Sequence, residues 1–295
     1  MKAQVSKYFG LILGAILLIS ISTFGQAATA NLPDGKSVIE QKLKSTLMGR
    51  EMPYRIILPT GYKTSNESTR YPVIYLLHGL TGHYSNWTDK AKVVEYAADH
   101  KFIIVTPEGD NGWYSDSVTT ANDKYESYIV KELIPEIDKN YRTNASRDQR
   151  VIAGLSMGGY GSLKFGLKYP EMFTIIGSFS GALGASNYSA RTAGEMIGGG
   201  IDKIFGPLDS ETRKENDIFR MIREATPEKI KAMPYVYQSC GTEDFLIQNN
   251  RDFLALLNEK KIPHEYREFP GIHDWVFWDD QVREFLKVAE RRLKK

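Results

Sequence analysis

Arg150-Val151-Ile152-Ala153-Gly154-Leu155-Ser156-Met157-Gly158-Gly159 reads as a strand, a sharp turn and the start of a helix, with a serine at the apex. The apolar run Val151-Ile152-Ala153 has the composition of a buried strand, and the stretch from Gly159 to Tyr169 is compatible with a helix. Gly154 and Gly158 stand two residues either side of Ser156, where a missing Cβ lets the backbone pack closely at a strained turn. Such a turn holds the serine hydroxyl out at the end of a sheet, within reach of a base. The competing reading is a tight strand–helix turn with an inert serine, and the rest of the chain decides between the two.

Working outward, apolar runs alternate with helical stretches. Val38 to Met48 and Tyr54 to Leu58 read as a hairpin around Gly49-Arg50-Glu51. Val73-Ile74-Tyr75-Leu76-Leu77 is apolar throughout, as expected of a strand covered on both faces, and it ends in His78-Gly79. A helix is expected around Lys90 to Asp99, then a strand Phe102 to Val105 closed by Thr106-Pro107-Glu108-Gly109. Tyr125, Tyr128, Ile129, Leu133 and Ile137 recur at helical spacing, so one helix is expected from Lys124 to Lys139, kinked by Pro135. After the serine turn come a strand Thr174 to Phe179, a Gly-rich and then charged stretch 182 to 226 read as an insertion above the sheet, a strand Tyr235 to Cys240 and a helix Asn249 to Lys261. A strand His264 to Phe269 and a final helix from Asp279 close the chain. The alternation predicts an α/β domain with a mostly parallel sheet and helices on both faces. His78, Pro107, Ser156, Gly181, Asp244 and His273 all follow expected strands, so they gather on the one sheet edge where such folds bind ligands.

The chain has 295 residues, 42% apolar and 25% charged, which suffices for a substantial core. No linker or repeat divides it, so residues 31–295 are expected to form one domain. Residues 1–30 read as a signal peptide: Lys2 and Lys7, an apolar run from Phe9 to Phe24, then Ala28-Thr29-Ala30 as the cleavage site. The run is short for a membrane span of about 20 residues, so the expectation is export, secreted or periplasmic, with no stable membrane insertion after cleavage. Removing the leader lowers Lys+Arg from 38 to 36, level with the 36 Asp+Glu, and this neutral balance argues against nucleic-acid binding. Cys240 is the single cysteine, so no intramolecular disulfide forms, and its place at the end of an apolar run marks a buried thiol. The five histidines are dispersed, with no metal-ligand spacing and no phosphate or dinucleotide loop, so neither metal nor cofactor is expected.

A serine nucleophile needs a base, and the base needs an orienting acid. Only His264 and His273 follow Ser156, and His264 opens a strand, whereas His273 hangs in the loop Phe269-Pro270-Gly271-Ile272-His273-Asp274-Trp275. For the acid, Asp244 follows the penultimate strand in Gly241-Thr242-Glu243-Asp244; Glu243 and Asp274 remain alternatives, although a residue adjacent to the histidine rarely reaches its Nδ1. The oxyanion donors are expected from the Met157 amide and from Leu80 in the loop His78-Gly79-Leu80-Thr81-Gly82, with His78 supporting that loop. Trp113, Tyr114 and Trp275 are candidates to line a substrate pocket, while Trp278 is equally well read as core.

With these features the chain resembles the "Putative esterase" family of α/β-hydrolases, which includes esterase D (S-formylglutathione hydrolase), tributyrin esterases, feruloyl esterases and mycolyltransferases. The matching segments are Tyr71-Pro72-Val73-Ile74-Tyr75-Leu76-Leu77-His78-Gly79, Asn111-Gly112-Trp113-Tyr114-Ser115-Asp116, Gly154-Leu155-Ser156-Met157-Gly158-Gly159, Gly241-Thr242-Glu243-Asp244 and Gly271-Ile272-His273-Asp274-Trp275. The resemblance implies the α/β-hydrolase fold, a triad of Ser156, Asp244 and His273, oxyanion donors at Leu80 and Met157, and a small-molecule or polysaccharide-linked ester as substrate. The Trp113-Tyr114 loop looks more like the tributyrin and feruloyl esterase branch than the glutathione-thioester branch. The expected function is a secreted serine carboxylesterase for short-chain or aryl esters. The alternatives are an acyltransferase using a sugar or lipid alcohol as acceptor and, more distantly, a non-catalytic binding domain.

Overall fold

The computed structural model describes residues 29–31, 37–194 and 200–293. Of the expected leader, residues 1–30, the first 28 lie outside the described residues, and Thr29 and Ala30 stand in the first strand, opposite Ile39 and Val38. Among the described residues nine strands form one sheet: β1 (Thr29–Asn31), β2 (Ser37–Ser45), β3 (Arg50–Leu58), β4 (Val73–Leu77), β5 (Ile103–Pro107), β6 (Arg150–Leu155), β7 (Ile175–Phe179), β8 (Tyr235–Gly241) and β9 (His264–Phe269). Their order is β1-β2-β3-β5-β4-β6-β7-β8-β9. β1, β2 and β3 run antiparallel, β3 meets β5 antiparallel, and every pair from β5 to β9 is parallel. The α/β-hydrolase expectation holds.

The apolar strands are buried on both faces because the chain covers both. In β4, Val73, Tyr75 and Leu77 join one core cluster while Ile74 and Leu76 join the other. Helix Met157–Lys168 contributes Met157, Tyr160, Leu163 and Phe165 to the first cluster. Helix Trp275–Leu293 contributes Phe277, Trp278, Val282, Phe285 and Leu286 to the second. Fully burying each such side chain stabilises the fold by roughly 1.5–3 kcal/mol.

Beyond shifts of one or two residues at the ends of other elements, four local features differ from expectation. The hairpin turns at Thr46–Gly49 rather than at Gly49–Glu51. Gly49 adopts φ +63°, and the Glu132 carboxylate accepts the Ser45 hydroxyl and the amides of Thr46 (3.0 Å) and Leu47 (3.1 Å). That cap frees Arg50 and Glu51 to continue the ladder opposite Ser45 and Lys44. The single helix expected near Lys90 to Asp99 is two short ones, Asn86–Lys90 and Val93–Ala98. The helix 125–140 absorbs Pro135 through a π-helical segment, Ile129–Leu133, between two α-helical pieces; the wider turn accommodates the amide that proline lacks. The last helix begins at Trp275, not Asp279, because Asp274 Oδ1 accepts the Phe277 amide at 3.0 Å and caps it.

The stretch expected as an insertion is a set of short helices, among them Gly200–Phe205, Glu211–Glu215 and Ile218–Arg223. Buried Arg213 ties them together, donating to the carbonyls of Gly206 (2.7 Å), Ser186 (2.7 Å) and Tyr188 (2.6 Å) and pairing with Asp202. Among the described residues no helix is long and apolar enough to cross a membrane.

Candidate active site

The sheet reverses its order of addition between β4 and β6: the chain lays β5 on one side of β4 and then crosses to place β6 on the other. Ligands of open α/β sheets bind outside the carboxyl ends of the strands at such a switch point. Leu77 pairs with Gly154, so the loop after β4 lies beside the turn after β6. A Cβ on Gly79 would sit 2.6 Å from Leu155 and 3.4 Å from the Ser156 Cβ, so the loop approaches the serine as closely as a glycine allows.

Ser156 occupies φ +53°, ψ −115°, a strained conformation for a non-glycine residue that costs on the order of 1–3 kcal/mol. Its neighbours hold it there: its amide donates to Phe179 O at 2.9 Å, and its carbonyl accepts the amides of Tyr160 (3.1 Å) and Ala182 (3.0 Å). The flanking glycines answer to contact. A Cβ at Gly154 would lie 2.5 Å from the Gly158 backbone, and one at Gly158 would lie 2.5 Å from the Leu77 carbonyl oxygen.

His273 Nε2 lies 3.0 Å from Ser156 Oγ, and His273 Nδ1 lies 2.8 Å from Asp244 Oδ2. A carboxylate only accepts hydrogen bonds, so Nδ1 carries the proton and Nε2 presents its lone pair to the serine hydroxyl. Asp244 is buried, and burial alone would raise its pKa. Hydrogen bonds from His273 and from the Leu246 amide (2.8 Å) outweigh that and hold the carboxyl below its ordinary value. The alternatives are occupied elsewhere: Glu243 accepts the Gly271 amide at 2.6 Å, and Asp274 caps the last helix. His264 opens β9 and bonds the Ile262 carbonyl at 2.7 Å. Cys240 is buried, and burial pushes its thiol up to about 12, so it offers no thiolate.

Met157 is the first residue of its helix, so its amide belongs to the first turn, whose N–H groups lack intrahelical partners. Leu80 lines the same cavity as Ser156. His78 supports its loop as expected: fully buried, it lies 2.8 Å from the Gly79 carbonyl through Nδ1 and 3.0 Å from Glu108 Oε1 through Nε2. Burial would raise the Glu108 carboxyl, but His78 and the Asp110 and Tyr84 amides hold it down at about 2.

The cavity measures about 450 Å³ and is lined by Leu80, Trp113, Tyr188, Phe245, Trp275 and Trp278 beside Ser156 and His273. Two of the three expected pocket aromatics, Trp113 and Trp275, are therefore present. Tyr114 is not a pocket residue: it is fully buried, its ring packed where a Cβ on Gly109 would approach to 2.4 Å, and its hydroxyl donates to the His78 carbonyl at 2.9 Å. Sequence reasoning missed Phe245 and Tyr188. Phe245 is 76% exposed and stands 4.6 Å from the His273 ring, and its signal was its place directly after Asp244. Trp278, left undecided, packs edge-on to His273 at 4.9 Å.

One grouping of metal-capable side chains occurs among the described residues: His83, Glu108 and Asp110 bring ligand atoms within 4.8 Å of one another. No sequence spacing announces it. Two of its three members already serve the fold, since Asp110 Oδ2 receives Arg50 and the Tyr125 hydroxyl, and Glu108 receives the amides of Tyr84, Gly109 and Asp110.

The family model described as "Putative esterase" matches residues 45–287, and the chain belongs to that family. Over 256 residues it is 29% identical to an acetyl esterase of Caldicellulosiruptor saccharolyticus, covering 83% of this chain and 95% of that protein. The structure of a ferulic acid esterase superposes with a TM-score of 0.74 at 25% identity, over 88% of this chain and 98% of that one. FphF, a fluorophosphonate-binding serine hydrolase of Staphylococcus aureus, superposes with a TM-score of 0.74 at 26% identity, over 86% and 98% of the two chains.

Proposed function

We propose that the chain is an exported serine carboxylesterase acting on short-chain or aryl esters, including esters carried by polysaccharides. The observation that carries this reading is the hydrogen-bonded line from Asp244 (2.8 Å) through His273 (3.0 Å) to Ser156, opening into an apolar cavity. His273 Nε2 takes the proton of Ser156 Oγ as the oxygen attacks the ester carbonyl carbon. The amides of Leu80 and Met157 receive the developing oxyanion, and each such donor contributes roughly 3 kcal/mol to lowering the barrier. Collapse of the tetrahedral intermediate breaks the bond to the alcohol, which leaves with the proton from His273. Water, deprotonated by the same histidine, then releases the acid from the acyl-enzyme. Asp244 holds the imidazole in the tautomer this sequence needs. Trp113, Trp275, Trp278 and Phe245 suit a small acyl or an aryl group. Residues 1–30 act as the signal peptide that directs the domain of residues 31–295 out of the cytoplasm, and no metal or cofactor takes part.

The test is initial rates of the purified protein on p-nitrophenyl acetate, butyrate and octanoate, methyl ferulate and acetylated xylan, beside Ser156→Ala. Turnover that Ser156→Ala abolishes supports the reading. Full activity in Ser156→Ala refutes it, and exclusive transfer of the acyl group to an added sugar or lipid alcohol assigns the same residues to an acyltransferase.

A further inference from the structure

A buried lysine sits behind the candidate site with a purpose that the esterase chemistry does not explain. Lys164, on the helix that follows Ser156, is fully buried. An ammonium carries three donors, and all three are used: on Glu126 Oε2 at 2.7 Å, on the Tyr114 carbonyl at 2.6 Å and on Ser115 Oγ at 2.6 Å. Removing an ammonium from water is costly, and an apolar side chain of the same length would avoid that cost. Two of the three bonds go to the loop that carries Trp113, not to the carboxylate.

That loop is strained. Trp113 and Tyr114 are consecutive non-glycine residues at φ +49° and +52°, a conformation that persists only where its surroundings impose it. Lys164 grips the loop by its Tyr114 carbonyl. From there Tyr114 reaches forward: its ring is confined where a Cβ on Gly161 would approach to 2.7 Å, and its hydroxyl donates to the His78 carbonyl at 2.9 Å. The next peptide is Gly79–Leu80, whose carbonyl accepts from His78 Nδ1 at 2.8 Å and from the Gly82 amide at 3.0 Å. A trans peptide points its carbonyl and its N–H in opposite directions, so fixing the Gly79 oxygen aims the Leu80 N–H.

We propose that Lys164 is a positioning residue: through Tyr114 and His78 it fixes the direction of the Leu80 amide, and through the Trp113–Tyr114 turn it sets the Trp113 wall of the cavity. The inference rests on the serine-esterase reading, in which the Leu80 amide receives the oxyanion. Burial depresses the basicity of Lys164 to about 8 despite Glu126.

The experiment uses the full chain with Lys164→Met, which keeps the length of the side chain and removes its donors. Reactive serine is titrated with a fluorophosphonate, so that kcat on p-nitrophenyl acetate is expressed per competent site. The expected result is a kcat lower by about ten- to hundredfold with KM within about threefold, and a matching loss of affinity for a boronic acid that mimics the tetrahedral intermediate. A purely structural lysine would lower the titratable fraction and the melting temperature but leave kcat per titrated site within about twofold, and that result overturns the proposal. Where Lys164→Met fails to fold, Tyr114→Phe removes only the hydroxyl on His78. A kcat about tenfold lower supports the chain of contacts, and an unchanged kcat overturns it. Wild-type turnover that survives Ser156→Ala sinks the esterase reading itself, whereas serine-dependent turnover with an unaffected Lys164→Met sinks only the positioning role.

Discussion

Asp244→Asn is the substitution that separates the orienting acid from its two neighbours. The Asp244 carboxylate uses both oxygens: Oδ1 accepts the Leu246 amide at 2.8 Å and Oδ2 faces His273 Nδ1 at 2.8 Å. An asparagine must keep its oxygen on the Leu246 amide, which turns its NH2 toward Nδ1. Two donors cannot face each other, so the imidazole moves its proton to Nε2 and no longer presents a lone pair to Ser156. The volume is unchanged, and the fold stays intact. What is lost is the competent tautomer and the stabilisation of the imidazolium, which together cost roughly 10³–10⁴-fold in kcat, or about 4–5.5 kcal/mol.

The assay is kcat on p-nitrophenyl acetate, with circular dichroism to show that each variant is folded. Glu243→Gln and Asp274→Asn are the controls, since these carboxylates accept a backbone amide rather than His273. Each control should stay within about fivefold of wild type, with Asp274→Asn costing no more than about 1 kcal/mol of stability through its cap. Asp244→Asn retaining more than about a tenth of wild-type kcat would refute the tautomer argument, and so would a loss of equal size in Asp274→Asn.

Gly158→Ala brings a methyl group to 2.5 Å from the Leu77 carbonyl oxygen and 2.7 Å from that of His78, both backbone atoms that cannot swing aside. It should cost at least about 1–3 kcal/mol in chemical denaturation and displace the serine turn; a variant with wild-type urea midpoint and activity would contradict the packing account. Glu108 and Glu126 are each held at about 2 against an ordinary 4.5. Their folded values lie below the unfolded ones, so their stabilisation is fully present above about pH 4.5 and is lost as the pH falls toward 2, together several kcal/mol. The urea midpoint should therefore drop steeply between about pH 4.5 and 3, and a flat midpoint across that window would show that these carboxyls are not held as described.

The sheet was legible because β4 through β7 are apolar on both faces, and such runs read as buried strands wherever they stand. Val73–Leu77 and His264–Phe269 fall where expected to the residue. The errors share a cause. Glu132, distant in sequence from the hairpin, caps its turn and moves it; Asp274 starts the last helix four residues early; a π segment spreads the strain of Pro135 over a turn. Each falls at an element boundary or kink, where local propensity is weakest, and of the three only Glu132 acts from a distance. Gly49 at φ +63° was the one local signal for the turn, and it marks the end of that turn rather than its beginning.

The residues around Ser156 were legible for a different reason. Their positions follow from connectivity: a residue directly after a parallel strand must stand at the carboxyl edge, so Ser156, Asp244 and His273 could be gathered without coordinates. The same rule says nothing about direction, and that is where Tyr114 was misread. Trp113 and Tyr114 are adjacent, aromatic and equally close to the edge, yet one lines the cavity and the other is sealed beneath it. What sorts them is a backbone at φ +49° and +52°, and no propensity favours that conformation for an aromatic pair. The lysine whose bonds help maintain it lies some fifty positions on, at Lys164, where the sequence shows only a cation between Leu163 and Phe165 on a helix. A buried charge is visible only once the fold supplies its partners. The residues that aim a site therefore stay hidden in a sequence that plainly displays the residues it aims.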